Sequence, residues 1–139
     1  MDYETVDAAR FGASLRGIGL NLVTRDVRAM AAFLNAVFDM GTHRLSDDFA
    51  ILTYGTQVFQ LHSDGTYAAN PLLGLLPENP PRGAGVELRL YDSDPDQATA
   101  RAEAAGGTVL QPPTDKPHGL REAYILDPDG YAWVPSRPL

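Results

Sequence analysis

The sequence predicts an α+β fold of two tandem β-α-β-β-β modules, and three observations carry that reading. Gly17-Ile18-Gly19-Leu20-Asn21-Leu22, followed by Asp26, returns as Gly85-Val86-Glu87-Leu88-Arg89-Leu90, followed by Asp94; both offsets (85 − 17 and 94 − 26) equal 68. In each copy apolar residues alternate, Ile18, Leu20 and Leu22 against Val86, Leu88 and Leu90, which is the period of a strand buried on one face. Each copy then meets an acid where a helix wants its N-cap, Asp26 or Asp94, since a carboxylate there accepts orphan N–H groups and faces the positive end of the helix dipole.

Residues 1–15 read as an N-terminal arm with a short helix from Ala8 to Leu15. The first module, residues 16–62, opens on the Gly17–Leu22 strand. Its helix runs from Val27 to Phe38, with Met30, Phe33, Leu34, Val37 and Phe38 recurring at intervals of three and four, and Gly41 ends it. Strands follow at Thr42–Ser46, Phe49–Tyr54 and Gln57–His62, separated by turns at Asp47-Asp48 and Gly55-Thr56. Residues 63–83 form a connection that holds four prolines and the apolar Leu72, Leu73, Leu75 and Leu76, with one helical turn expected. The second module, residues 84–139, repeats the plan. Its strand is Gly85–Leu90, and its helix begins with Pro95 at N1, continues through Ala98, Ala102 and Ala105 and ends at Gly106-Gly107. Strands are expected at Thr108–Gln111, Ala123–Leu126 and Tyr131–Val134, with Asp127-Pro128-Asp129-Gly130 as the last turn. The two modules together are read as a single domain, 16–139.

A chain of 139 residues can bury a real core, since at about this size folding removes roughly 68–70% of the unfolded surface from water. No apolar run approaches the ~18 residues of a membrane span, so no membrane partner is expected. With 18 acidic against 11 basic residues the net charge is −7, which repels phosphate backbones and argues against a nucleic-acid partner. The absence of Cys excludes disulfides, thiolate metal sites and a Cys nucleophile. Met1-Asp2-Tyr3-Glu4 has no basic region followed by an apolar one, so a cytoplasmic location is the default expectation. Phosphate-binding, dinucleotide, zinc-protease and nucleophile-elbow motifs are all missing from the sequence.

The tandem modules, Arg25-Asp26-Val27 leading to Ala32-Phe33, the run from Ala100 to Gly106 and the closing Asp127-Pro128-Asp129-Gly130-Tyr131-Ala132-Trp133 together resemble the glyoxalase/bleomycin-resistance/dioxygenase group, the vicinal oxygen chelate superfamily. The resemblance runs from about Gly17 to the C-terminus. It implies curved sheets enclosing a cleft, commonly completed in a homodimer, in a group that holds metal-dependent lyases, isomerases, dioxygenases and thiol transferases beside metal-free proteins that sequester drugs.

In the metal-dependent members each module supplies one ligand from its first strand and one from its last. Carried onto this sequence, those positions are Gly19 and Gln60 in the first module, and Glu87 and Val134 in the second. Gly19 and Val134 have no donor atom, so at most two ligands remain where about three are needed. No metal and no other cofactor is therefore expected, with a divalent metal in an altered ligand set that recruits His62 as the alternative. By strand alternation Asn21, Val23, Gln60, His62, Glu87, Arg89 and Tyr91 face away from the helices and, with Val134, line the cleft. Glu87 and Arg89 either meet a ligand or pair with each other, and His62 is the candidate catalytic base. His43 and His118 read as solvated, and Trp133 as core. The expected function is metal-free binding and sequestration of a small organic ligand. The alternative is a metal-dependent or His62-assisted lyase, isomerase or dioxygenase.

Overall fold

The computed structural model describes residues 1–67 and 70–139. The element order is α1 (Ala8–Ser14), β1 (Asn21–Thr24), α2 (Val27–Phe38), β2 (Gly41–His43), β3 (Phe49–Tyr54), β4 (Gln57–Ser63), β5 (Glu87–Leu90), α3 (Pro95–Ala102), β6 (Thr108–Asp115), β7 (Leu120–Leu126) and β8 (Ala132–Pro138). Short 3₁₀ turns at Gly65–Tyr67 and Leu73–Leu75 stand in the connection, which was expected to hold one helical turn; residues 68 and 69 of that connection lie outside the described residues. The strands form two four-stranded sheets, ordered β1-β4-β3-β2 and β5-β8-β7-β6. Both sheets have the same plan, a parallel outer pair made by a crossover helix and an antiparallel meander beyond it. The fold is therefore the α+β tandem repeat that the 68-residue offset predicts.

The chain divides into two compact units, residues 1–31 with 40–74 and residues 32–39 with 75–139, so the C-terminal half of α2 belongs to the second. In the first unit β3 carries the core: Ala50, Ile51 and Leu52 are three consecutive residues with 1% exposure or less. In the second, the Trp133 ring packs tilted against Phe38 with centroids 5.7 Å apart, while Ala98 and Ala102 of α3 and Ile125 of β7 are buried. Gly107 is required there, because a Cβ would fall 2.6 Å from the Phe33 ring and 2.8 Å from the Leu126 carbonyl oxygen.

The helix starts follow the sequence reading. Asp26 Oδ1 accepts from the Ala29 N–H at 3.0 Å, and Asp94 Oδ1 accepts from Asp96 and Gln97 at 3.0 and 3.1 Å. Strand starts do not. Ile18 is fully exposed and Val86 is 53% exposed, rather than buried with Leu22 and Leu90. Gly17 and Gly85, with φ of +71° and +86°, turn the backbone ahead of each strand, so pairing begins only at Asn21 and Glu87. The strand expected over Thr42–Ser46 stops at His43, because Arg44 takes φ +51° and the Ser46 hydroxyl then caps a turn by accepting from Asp48 and Phe49. β6 runs past Gln111 through Pro112-Pro113 to Asp115, as an edge strand with register shifts permits.

The last turn is built around Asp127. Its Oδ1 accepts from the Asp129 and Tyr131 amides at 2.9 and 3.1 Å, and its Oδ2 accepts from Trp133 Nε1 at 2.8 Å. Burial nevertheless dominates and pushes the carboxyl up to about 6, against the pull of those three donors. The folded protein thus holds a proton on Asp127 between its ordinary value of 3.8 and about 6, where the unfolded chain does not. Stability contributed by this group is greatest at the acid end of that window and falls as pH rises through it, by up to about 3 kcal/mol. Chemical unfolding of wild type and Asp127→Asn across pH 4 to 7 should show a downward slope in the difference that flattens above 6; parallel pH profiles would refute the burial argument.

Candidate functional site

In each sheet the strand register separates the face toward the crossover helix from the opposite, outward face. On the first sheet Asn21 pairs with Gln60 and Val23 with His62, while Ile51 pairs with Gln60 and Phe49 with His62, so all six side chains share the outward face with Val58. This face is not open. The N-terminal arm lies across it: Val6 and Phe11 bury Ile51 to 1% exposure, with Tyr3, Phe49 and Val58 packed around them. Polar ties hold the arm in place. Arg44 donates through Nη1 to the Val6 carbonyl at 2.6 Å and through its backbone N–H to Glu4 Oε2 at 3.1 Å, and Tyr3 packs edge-on against Phe11 at 6.0 Å. His43, expected to be solvated, is instead part of this attachment, 5.7 Å from the Tyr3 ring and 3.9 Å from the Glu4 carboxylate.

Between arm and sheet a cavity of about 370 Å³ remains, lined by Val6, Ala8, Phe11, Gly12 and Leu15 from the arm and by Arg44, Phe49, Ile51 and Gln60 from the other side. Its volume lies within the range of small-molecule sites, and its walls are apolar apart from one amide and one guanidinium. Next to it His62 Nε2 lies 3.2 Å from Gln60 Oε1, which can only accept, so the imidazole carries a proton at Nε2. Burial lowers the His62 pKa, and Phe49 packs against the ring at 5.2 Å. A neutral imidazole results at neutral pH.

The second sheet presents a different outward face, carrying Glu87, Arg89, Ala132, Val134, Ser136 and Glu122. Arg89 donates to Glu122 in a short contact, to Ser136 Oγ at 3.3 Å and to Glu87 Oε2 at 3.4 Å, with its guanidinium 5.7 Å from the Tyr91 ring centre. Tyr124 donates to Glu87 Oε1 at 2.5 Å, and His118 Nε2, expected to be solvated, lies 3.3 Å from Glu122. Burial raises the Glu122 pKa, but the hydrogen bonds and charges of Arg89 and His118 outweigh it and hold the carboxyl below its ordinary value. Burial likewise works against the Arg89 charge, and Glu122 and Tyr91 more than restore it. The hydrogen bond to Glu87, reinforced by burial, raises Tyr124.

Of the residues expected in the site, Asn21, Gln60 and His62 thus stand together on the first sheet and Glu87 and Arg89 on the second, with Tyr91 just past the end of β5 against Arg89. Val134 is on the outward face but completely buried. The arm residues, Arg44, Glu122, Tyr124 and Ser136 were missed. One signal for the arm was present: Ala50-Ile51-Leu52 is an unbroken apolar run, the mark of a strand covered on both faces. The positions carried over from metal-dependent relatives do not suit a metal. Gly19 has no side chain, Val134 is buried without a donor, Gln60 Oε1 is engaged by His62, and Glu87 by Tyr124 and Arg89. Among the described residues no group of three or more His, Asp or Glu is placed to hold a cation.

Because Glu122 is 3% exposed, Arg89→Met should leave a buried, poorly compensated carboxylate and lower stability by about 3–5 kcal/mol. Replacing the pair together, Arg89→Met with Glu122→Leu, should recover most of that loss in denaturant unfolding. Additive losses in the double variant would show that the two groups act separately.

Residues 18–134 match the model of the Glyoxalase/Bleomycin resistance protein/Dioxygenase superfamily. Among solved structures, a glyoxalase/bleomycin resistance protein/dioxygenase family enzyme from Burkholderia phytofirmans PsJN is similar at a TM-score of 0.73 and 24% identity, over 86% of this chain and 96% of that one. A glyoxalase/bleomycin resistance protein/dioxygenase from Nocardioides is 25% identical with a TM-score of 0.67, covering 94% of this chain and 91% of its own. The fosfomycin resistance protein FosX from Mesorhizobium loti gives 0.64 at 16% identity, over 90% and 94%. No curated protein matches the sequence.

Proposed function

Since the chain belongs to the Glyoxalase/Bleomycin resistance protein/Dioxygenase superfamily, we propose that it is a metal-independent member that binds and sequesters a small organic ligand on the outward face of the first sheet. The observation that carries the reading is the 370 Å³ cavity beside Gln60, apolar apart from two polar side chains. Such a lining draws in an apolar body and orients it by few hydrogen bonds. The donor-free positions Gly19 and Val134 support independence from metal, because two residual oxygen ligands compete poorly with water for a divalent ion.

The test is elemental analysis of protein purified without chelator, combined with melting in the presence of Ni, Zn, Mn or Fe. No stoichiometric metal and no rise in melting temperature are expected, since any ligand of the native state must stabilise it. A bound metal that Glu87→Ala with His62→Ala removes would overturn the reading and put a metal-dependent enzyme in its place. The exposed Leu72, Leu75 and Val86, at 52%, 80% and 53%, support a homodimer. Sedimentation should give twice the 15.0 kDa chain mass at micromolar concentration, and a 15.0 kDa species alone would contradict it.

A further inference from the structure

The arm is part of the site, not merely attached to it. Five of the nine residues lining the cavity of the first unit lie between Val6 and Leu15, and Ala8, Phe11, Gly12 and Leu15 fall on one side of α1 by helical spacing. A chain lacking this segment would have an exposed apolar sheet face where the structure has a half-open cavity. The helix also contains a residue that its own stability disfavours. Gly12 has an ordinary negative φ, and a Cβ built there meets no atom within 4 Å, so neither backbone conformation nor packing calls for glycine. A glycine inside a helix costs roughly 0.5–1 kcal/mol relative to alanine. Gly12 is exposed and lines the cavity, so a side chain added there meets only open space beside the cavity wall.

The polar groups indicate what would occupy that room. Phe11 and Phe49 offer ring surfaces from the arm and from β3, and the two polar side chains in the lining are Gln60, whose Nε2 amide can donate, and Arg44. Nη1 of Arg44 is used on the Val6 carbonyl, which leaves the far side of a five-donor fork for an anion. We propose, resting on the binding reading above, that residues 1–15 roof the ligand site, that the ligand is an aromatic or alicyclic carboxylate with its ring against Phe11 and Phe49 and its carboxylate at Arg44, and that Gly12 limits the size admitted.

The test uses the full chain with naphthalene-2-carboxylate and its uncharged counterpart naphthalene-2-carboxamide, followed by calorimetric titration and by contacts between ligand protons and protein methyl groups in NMR. Wild type should bind the carboxylate with contacts to Ile51, and Arg44→Gln should weaken it by about tenfold or more while changing the carboxamide by less than about twofold. Gly12→Leu should weaken both probes by about tenfold without lowering the melting temperature, since helix propensity improves as the cavity fills. Gly12→Ala should fall between, and it keeps the test decisive if the larger side chain disturbs the arm. Binding that survives both Gly12 variants, or contacts that map away from Ile51, would overturn the arm's role and leave the binding-protein reading standing. Failure of wild type to bind either probe would overturn the ligand class. Stoichiometric metal would instead remove the reading on which the inference rests.

Discussion

A four-stranded sheet has two faces, and one crossover helix covers only one of them. Each half of this chain must therefore do something with an outward face whose side chains are set by strand alternation. The two halves share topology and a repeated sequence signature, yet they treat that face in opposite ways. On the first sheet it is apolar at Ile51 and Phe49 and is covered by the chain's own Val6 and Phe11. On the second it carries Arg89, Glu122, Glu87 and Ser136, which satisfy one another.

These solutions have different consequences for binding. A charge network of this kind is rigid, and its donors and acceptors are already engaged, so a ligand arriving at the second sheet must displace internal contacts of buried groups. The first sheet has an apolar face under an arm tethered at a few points, with unfilled space between them. Removing apolar surface from water there requires little to be broken, which favours that half over the second sheet as the place for the proposed ligand. The same contrast explains the roles of the acids. Glu87, the one strong donor left at the positions carried over from metal-binding relatives, is taken up by Tyr124 and Arg89.

Much of the fold was legible because it is written in local rules. Asp26 and Asp94 cap helices, Val27–Phe38 forms one helix of that length, Phe49–Tyr54 pairs as expected, and the repeat at 68 residues carries the tandem plan. The strands start later than Ile18 and Val86 because period-two alternation says nothing about where pairing begins, and a left-handed glycine stands ahead of each strand. The site was legible in part. Alternation put Gln60 with His62 and Glu87 with Arg89, but alternation within a strand cannot reveal a partner from another element. Glu122 comes from β7, and Val6 and Phe11 come from a segment held by long-range burial and by polar ties to Arg44, neither of which a strand period reveals. Arg44 sits at a positive-φ turn, where no periodicity points to it.

The arm lies against the outward face of the first sheet, with Val6 and Phe11 over Ile51. The chain has only three isoleucines, Ile18, Ile51 and Ile125, so the Ile51 methyl resonance can be assigned without ambiguity. In a carbon-edited NOE spectrum of the unliganded protein, that methyl should show direct contacts to the Phe11 ring protons and to the Val6 methyls. If the Ile51 methyl instead shows contacts only to its own sheet and exchanges magnetisation with water, the outward face is open and the arm is not its cover.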